Sequence, residues 1–196
     1  MTKNLILGSS SPYRRELLER LKLPFECQSP EIDETPLSGE TPTDLIKRLS
    51  IQKAQKIDSL RQEQNNLIIA SDQMAILGTK IIGKPHTKQN AIQQLLSFSN
   101  QKVTFLTGLC VLDTGTQTHK YHLSEYHVYF RQLGRKEIEK YIDIEQPLNC
   151  AGSFKCEGLG ITLFRKMEGD DPNSLIGLPL IQLCSMLREY NINPLS

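Results

Sequence analysis

Three serines, Ser9-Ser10-Ser11, lead through Pro12 and Tyr13 into Arg14 and Arg15. A helix opening at Pro12 would carry both arginines in its first turn, where the helix dipole favours anions by about 0.3–1 kcal/mol. Two cations in that place fit a bound anion. The hydroxyls of the serines and the free N–H groups of the helix start could together cradle a phosphate chain. No G-x-x-x-x-G-K-[ST] run occurs, so this is not a Walker P-loop. The acidic run Glu31-Ile32-Asp33-Glu34 and the lone Asp72 offer hard oxygen ligands. Two such carboxylates suffice for Mg²⁺, which keeps several waters and is completed by substrate phosphates. One of them could instead orient and deprotonate an attacking water. Lys53, Lys84 in Gly83-Lys84-Pro85, and Lys155 could neutralise further phosphate oxygens. Each of these groups alone reads as an ordinary solvated or capping residue. The combination points to hydrolysis or transfer on a nucleoside polyphosphate.

The elements that must position these groups follow from hydrophobic spacing. Leu5-Ile6-Leu7 predicts a strand, and Leu17, Leu18 and Leu21 predict a helix with Ser11 as N-cap and Pro12 at its first position. Phe25 to Ser29 predicts a second strand, and residues 30–42, with three prolines and four carboxylates, an acidic loop. Thr41-Pro42 opens a helix with the apolar stripe Leu45, Leu49, Ala54 and Ile57, which puts Lys53 on another face. Leu67-Ile68-Ile69-Ala70 has the pattern of a strand buried on both faces, with Asp72 at its end. Further along, the pattern predicts a hairpin over 76–83, a helix over 87–97, strands over 103–112 and 121–130, and a helix over 137–144. A glycine-punctuated segment, 151–160, precedes a final helix from about Leu175 that carries Leu180, Leu183, Cys184 and Leu187. No repeat and no linker interrupts the chain, so one α/β unit around a mixed sheet is expected.

Composition bounds the rest. In a chain of 196 residues, 23 Lys and Arg balance 22 Asp and Glu to a formal charge of +1, so anion affinity must be local. A near-neutral chain without an interleaved basic and aromatic stripe does not read as a nucleic-acid binder. The first apolar stretch is too short for a signal peptide and none approaches 18 residues, so a cytoplasmic protein without a membrane partner is expected. Five cysteines without a C-x-x-C pair argue against a disulfide framework or zinc site and predict small buried hydrophobes in a reducing compartment.

Taken in order, Ser9-x-Ser11-Pro12-Tyr13-Arg14-Arg15-Glu16-Leu17-Leu18, Asp33-Glu34, Lys53-Ala54, Ser71-Asp72-Gln73, Gly83-Lys84-Pro85, Ala151-Gly152-x-x-x-x-Glu157-Gly158 and Gly177-Leu178-Pro179 resemble the Maf family of nucleoside triphosphate pyrophosphatases. The resemblance runs through the whole chain. It implies an α/β fold with a long curved mixed sheet flanked by helices and a substrate cleft, similar to inosine triphosphate pyrophosphatases. It also implies cleavage between the α and β phosphates with Mg²⁺ or Mn²⁺. The family's catalytic aspartate falls on Asp72, as general base or metal ligand, and its acidic metal ligand on Glu34. Its phosphate-binding positions fall on Ser9, Arg14, Lys53 and Lys84.

Three positions depart from the dTTP and UTP branch of that family: Tyr13, Gln73 and Glu157. They are similar to the branch acting on 7-methyl-GTP. A physical reading agrees, because 7-methylguanine carries positive charge on its ring. Tyr13 can stack on it, and Glu157 can accept from its N1–H and N2–H₂ donors. The expected reaction is therefore 7-methyl-GTP to 7-methyl-GMP and pyrophosphate. A dTTP or UTP pyrophosphatase and a nucleotide-binding regulator of cell division are the alternatives. The partner is a small nucleotide; a homodimer is compatible with the resemblance but not specified by the residues.

Overall fold

The computed structural model of the chain describes residues 3–61 and 65–196. Its elements run β1 (Asn4–Gly8), α1 (Pro12–Glu19), β2 (Phe25–Gln28), α2 (Pro42–Arg61), β3 (Asn66–Leu77), β4 (Lys80–Ile82), α3 (Lys88–Phe98), β5 (Lys102–Asp113), β6 (Thr118–Phe130) and α4 (Arg135–Glu145). Two 3₁₀ turns, Ala151–Ser153 and Leu159–Leu163, then lead to β7 (Phe164–Gly169), α5 (Pro172–Ile176) and α6 (Leu180–Arg188). The seven strands form one mixed sheet in the order β2-β1-β3-β5-β6-β7, with β4 paired to β3. No helix among the described residues is long and apolar enough to cross a membrane.

The chain divides into two compact units. The first takes in the chain up to Asp72, Thr107–Ser124 and Gly177–Ser196; the second is Gln73–Leu106 and Glu125–Ile176. Strands β3, β5 and β6 each begin in one unit and finish in the other.

In the first unit β1 lies between β2 and β3 and is parallel to both, with Leu5 opposite Phe25 and Leu67, and Gly8 opposite Ala70. Ile6, Ile68 and Ala70 pack with Ala54 and Ile57 of α2, and with Cys110 and Leu112 of β5. Each fully buried Ile of this layer contributes about 1.5–3 kcal/mol. Side chains on a strand alternate, so Ile68, Ala70 and Asp72 share the face that α2 covers, and Ser71 points to the other.

The second unit has its own core. Phe130 lies against Phe98, Phe154 and Phe164 with ring centroids 5.1–5.6 Å apart, and Phe105 meets Phe154 edge-on at 5.3 Å. Such tilted and edge-to-face pairs suit the aromatic quadrupole. The hairpin of β3 and β4 is antiparallel, with Leu77 opposite Lys80 and Ala75 opposite Ile82.

The structure departs from expectation at several places. Asp72 does not end its strand: β3 continues five residues further, from the first unit into the second. The predicted final helix is two, because Gly177 adopts φ +129° and Pro179 cannot continue a helical ladder, so α6 starts only at Leu180. Strand β7 has no counterpart in the expected pattern. Its sequence Phe164-Arg165-Lys166-Met167-Glu168-Gly169 lacks clean alternation because it is a charged edge strand, paired among the described residues only with β6, and charge on an edge deters further pairing. Of the cysteines only Cys110 is fully buried; Cys27 is exposed and the other three half-buried.

Candidate functional site

The serine loop and α1 form as their residues demand. Ser11 caps the helix, its hydroxyl accepting from the Arg14 N–H at 3.4 Å, with Pro12 in the first turn where its missing N–H costs nothing. The buried Ser9 hydroxyl accepts from the Ser11 N–H at 3.1 Å and from Arg14 Nη1 at 3.4 Å. The two arginines part company. Arg15 is exposed and pairs with Glu19 one turn on, so only Arg14 turns inward. Arg14 Nε donates to the Gly177 carbonyl at 2.9 Å, and Ser71 Oγ donates to that same carbonyl at 2.9 Å. Burial pushes the Arg14 guanidinium below its ordinary value, while Asp72 and Glu34 pull it back up. It remains a cation.

Lys53 is where the sequence reading needs correction. It is 6% exposed and belongs to the buried stripe of α2 with Leu45, Ile46, Leu49, Ser50, Ala54 and Ile57, four residues after Leu49 and so one turn below it. Its ammonium lies 2.5 Å from Asp72 Oδ1 and 2.6 Å from Glu34 Oε1. The partner explains the placement, since a buried cation is tolerable only when paired. Asp72 itself is 8% exposed, on the α2-facing side of β3, and its Oδ2 has no hydrogen bond among the described residues. Glu34 reaches in from the exposed acidic loop.

The Asp72 and Glu34 carboxylates are both drawn to the one ammonium, so their oxygens lie close together. The donor set is hard oxygen, which fits Mg²⁺ or Mn²⁺ with water and phosphate completing the shell. No group of three or more His, Cys, Asp or Glu able to hold a metal occurs among the described residues.

Thus Ser9, Arg14, Glu34, Lys53 and Asp72 come together on the first unit, and Tyr13 stands half-buried beside Arg14 in the opening turn of α1. Gln73, Lys84 and Glu157 belong to the second unit, and no hydrogen bond or ion pair joins Lys84 to Glu157 among the described residues. Gln73 Nε2 donates to the carbonyls of Ser174 and Leu175 at 2.7 and 3.1 Å, which ties β3 to α5. Lys84 is exposed, just after β4, and Glu157 is exposed beside Cys156, whose thiol donates to its Oε2 at 3.4 Å. Lys155 is held by α4, with Nζ 2.7 Å from the Glu145 carbonyl and 3.8 Å from its carboxylate.

Ser71 and Gly177 received no role from the sequence, although Gly177-Leu178-Pro179 between two helical patterns signals a break. A Cβ on Gly177 would stand 3.3 Å from Arg14 Nε at a φ that L residues rarely adopt. The glycine thus allows its carbonyl to hold Arg14.

Relatives of known name share this chain nearly end to end. A 7-methyl-GTP pyrophosphatase of Aliivibrio fischeri is 51% identical over 195 residues, covering 100% of both chains. One of Colwellia psychrerythraea is 50% identical over 194 residues, 99% of this chain and 96% of that one. One of Pseudomonas aeruginosa is 50% identical over 189 residues, 96% of this chain and 97% of its own. Among solved structures, the Staphylococcus aureus Ham1 protein superposes with a TM-score of 0.53 at 10% identity, covering 96% of this chain and 100% of that one, a likeness of fold alone. The family described as Maf-like protein matches residues 4–190, from the first residue of β1 to just beyond α6. With its motif residues gathered around Lys53 and Arg14 as described, the chain belongs to the Maf family.

Proposed function

We propose that this protein hydrolyses 7-methyl-GTP to 7-methyl-GMP and pyrophosphate. The observation that carries the chemistry is the buried Lys53 ammonium bridging Asp72 and Glu34, next to the inward-turned Arg14. The names of relatives at about half identity over their full length support the substrate.

Asp72 has one oxygen on Lys53, and its Oδ2 takes the proton of the attacking water. The water oxygen adds to the α phosphorus, the bond to the bridging oxygen breaks, and pyrophosphate leaves with the electron pair. Lys53 has three N–H donors with two engaged by carboxylates, so the third is available to a phosphate oxygen. Arg14 and Lys84 supply the remaining positive charge, and Ser9 a hydroxyl donor. Glu34 would hold Mg²⁺ or Mn²⁺, joined by Asp72 where that carboxylate is not the base, and the ion when bound would supply Lewis acidity at the phosphates. Tyr13 stacks on the cationic base and Glu157 accepts from its N1–H and N2–H₂. Gln73 acts indirectly, by holding the later residues of α5 to β3.

The test is turnover of 7-methyl-GTP, GTP, dTTP and UTP by purified protein with Mg²⁺ or Mn²⁺. The methylated substrate is expected to turn over fastest, and Asp72→Asn to lower the rate on the order of 10²–10⁴-fold. Glu157→Gln is expected to lose about tenfold on 7-methyl-GTP and little on UTP. Faster turnover of dTTP or UTP by wild type would overturn the substrate, and an equal loss on all substrates in Glu157→Gln would overturn base reading. A cell-division effect that survives Asp72→Asn would point to binding as a separate role.

A further inference from the structure

Lys84 differs from the other candidate lysines in having neither an ion pair nor a hydrogen bond among the described residues, whereas Lys53 and Lys155 are both tied to carboxylates. Its backbone is the opposite, for both flanking carbonyls are gripped by one helix face. Gln94 Nε2 donates to the Gly83 carbonyl at 3.2 Å, and Asn90 Nδ2 donates to the Pro85 carbonyl at 3.0 Å. These two side chains stand four residues apart on α3, one above the other. The next residue is pinned as well. His86 takes φ +60° and donates its N–H to the Leu148 carbonyl at 3.0 Å.

Gln94 is itself fixed from behind. A carbonyl can only accept, so Nε2 must face Gly83, and Oε1 then faces Ser153, whose hydroxyl donates to it at 2.5 Å. Ser153 is fully buried and held at φ +61°, a conformation that costs a non-glycine residue energy. The turn before it is equally constrained: Gly152 has φ +76°, and a Cβ there would come within 3.0 Å of Phe105 Cζ. The Ala151-Gly152-Ser153 turn is thereby joined through Gln94 to Gly83-Lys84-Pro85, two motifs about seventy residues apart in sequence but one hydrogen-bonded unit in the fold.

We propose that Gln94 and Asn90, backed by Ser153, are positioning residues that fix the backbone around Lys84 and leave its ammonium free for an oxygen of the substrate's polyphosphate. The identity of that target rests on the function proposed above. A lysine side chain is a flexible point charge, so the direction it can cover depends on a rigid base.

The experiment compares wild type with Lys84→Ala, Gln94→Ala, Gln94→Glu, Asn90→Ala and the Lys84→Ala/Gln94→Ala double variant. Three quantities are read: kcat and KM for the triphosphate turned over fastest, inhibition by inorganic pyrophosphate, and amide hydrogen exchange over residues 83–87. Gln94→Ala and Asn90→Ala are expected to raise KM and weaken pyrophosphate inhibition roughly threefold to tenfold, the worth of one net hydrogen bond, with faster exchange over 83–87. Gln94→Glu is expected to lose as much, because a carboxylate can still accept from Ser153 but cannot donate to Gly83; a residue that merely fills space would tolerate it. In the Lys84→Ala background Gln94→Ala is expected to cost nothing further. Additive losses, or unchanged exchange over 83–87, overturn the clamp and leave the proposed reaction standing. Unchanged pyrophosphate inhibition in Lys84→Ala overturns the inference at its target, together with that lysine's part in the reaction. Asn90 is exposed, so its variant folds even where a change at Gln94 disturbs the helix.

Discussion

Replacing Lys53 by methionine keeps most of the length of the side chain and deletes its charge. The Lys53 and Asp72 side chains are 8% and 11% exposed, while Glu34 retains 57% exposure. Removing one partner of a buried pair costs about 3–5 kcal/mol, because the other charge is left without compensation. Glu34 is solvated and adds at most about 1 kcal/mol, and the residual water contact of Asp72 sets the total at about 3 kcal/mol. For a protein of this size each kcal/mol moves the midpoint by about 2–4 °C, so Tm is expected to fall by about 6–12 °C. Circular dichroism melts in chelator-treated buffer measure this. The double variant Lys53→Met/Asp72→Asn carries no orphaned buried charge and is expected to melt higher than Lys53→Met alone, although both are expected to be inactive. A Lys53→Met melt within about 2 °C of wild type, or a double variant less stable than either single, would refute the account of Lys53 as a buried counter-ion.

Gly177→Ala forces a left-handed φ on an L residue and places a methyl 3.3 Å from Arg14 Nε; strain of about 1–3 kcal/mol should lower Tm by roughly 2–12 °C and reduce kcat/KM together, with Ser71→Ala milder in both. Wild-type melting and turnover in Gly177→Ala would contradict the role of its carbonyl. The Arg48 guanidinium holds the Glu40 carboxyl down to about 2, so the folded state favours the ionised form. That contribution is present above the ordinary carboxylate value of 4.5 and is lost as pH falls toward 2, so the gap in urea midpoint between wild type and Glu40→Gln should be fully open near neutrality and close on acidification. A gap that widens in acid would reverse the assignment. Iodoacetamide at pH 8 should label the exposed Cys27 first and Cys110 only on unfolding, since burial pushes the Cys110 thiol up to about 12; equal labelling of the two peptides by mass spectrometry would contradict its packing.

Much of the fold could be read from spacing because its strongest periodic segments are local. Leu5-Ile6-Leu7 and the Ser11-Pro12 start each contain their own signal, and each stands where expected. The misreadings have a common cause in partners distant along the chain. Lys53 looked like surface charge because its type is usually solvated, and only Asp72, nineteen residues on, makes its burial tolerable. Strand β7 pairs, among the described residues, only with β6, so little in its own pattern announces it. Residue types and motif order singled out Arg14, Glu34, Lys53 and Asp72, which the fold brings together, yet not which carbonyl aims Arg14. Backbone acceptors carry no sequence signature.

The chain passes between its two units four times, at 72/73, 106/107, 124/125 and 176/177, and three of these passages lie within strands. Neither unit is a contiguous stretch that could be cut out and expressed alone. Asp72 and Gln73 are joined by the peptide bond at one passage, so no recombination between relatives at that boundary could exchange one unit without severing the strand that carries the candidate catalytic carboxylate. In this architecture any redesign of the half bearing Gln73, Lys84 and Glu157 has to be made residue by residue, within strands shared with the half that holds Asp72.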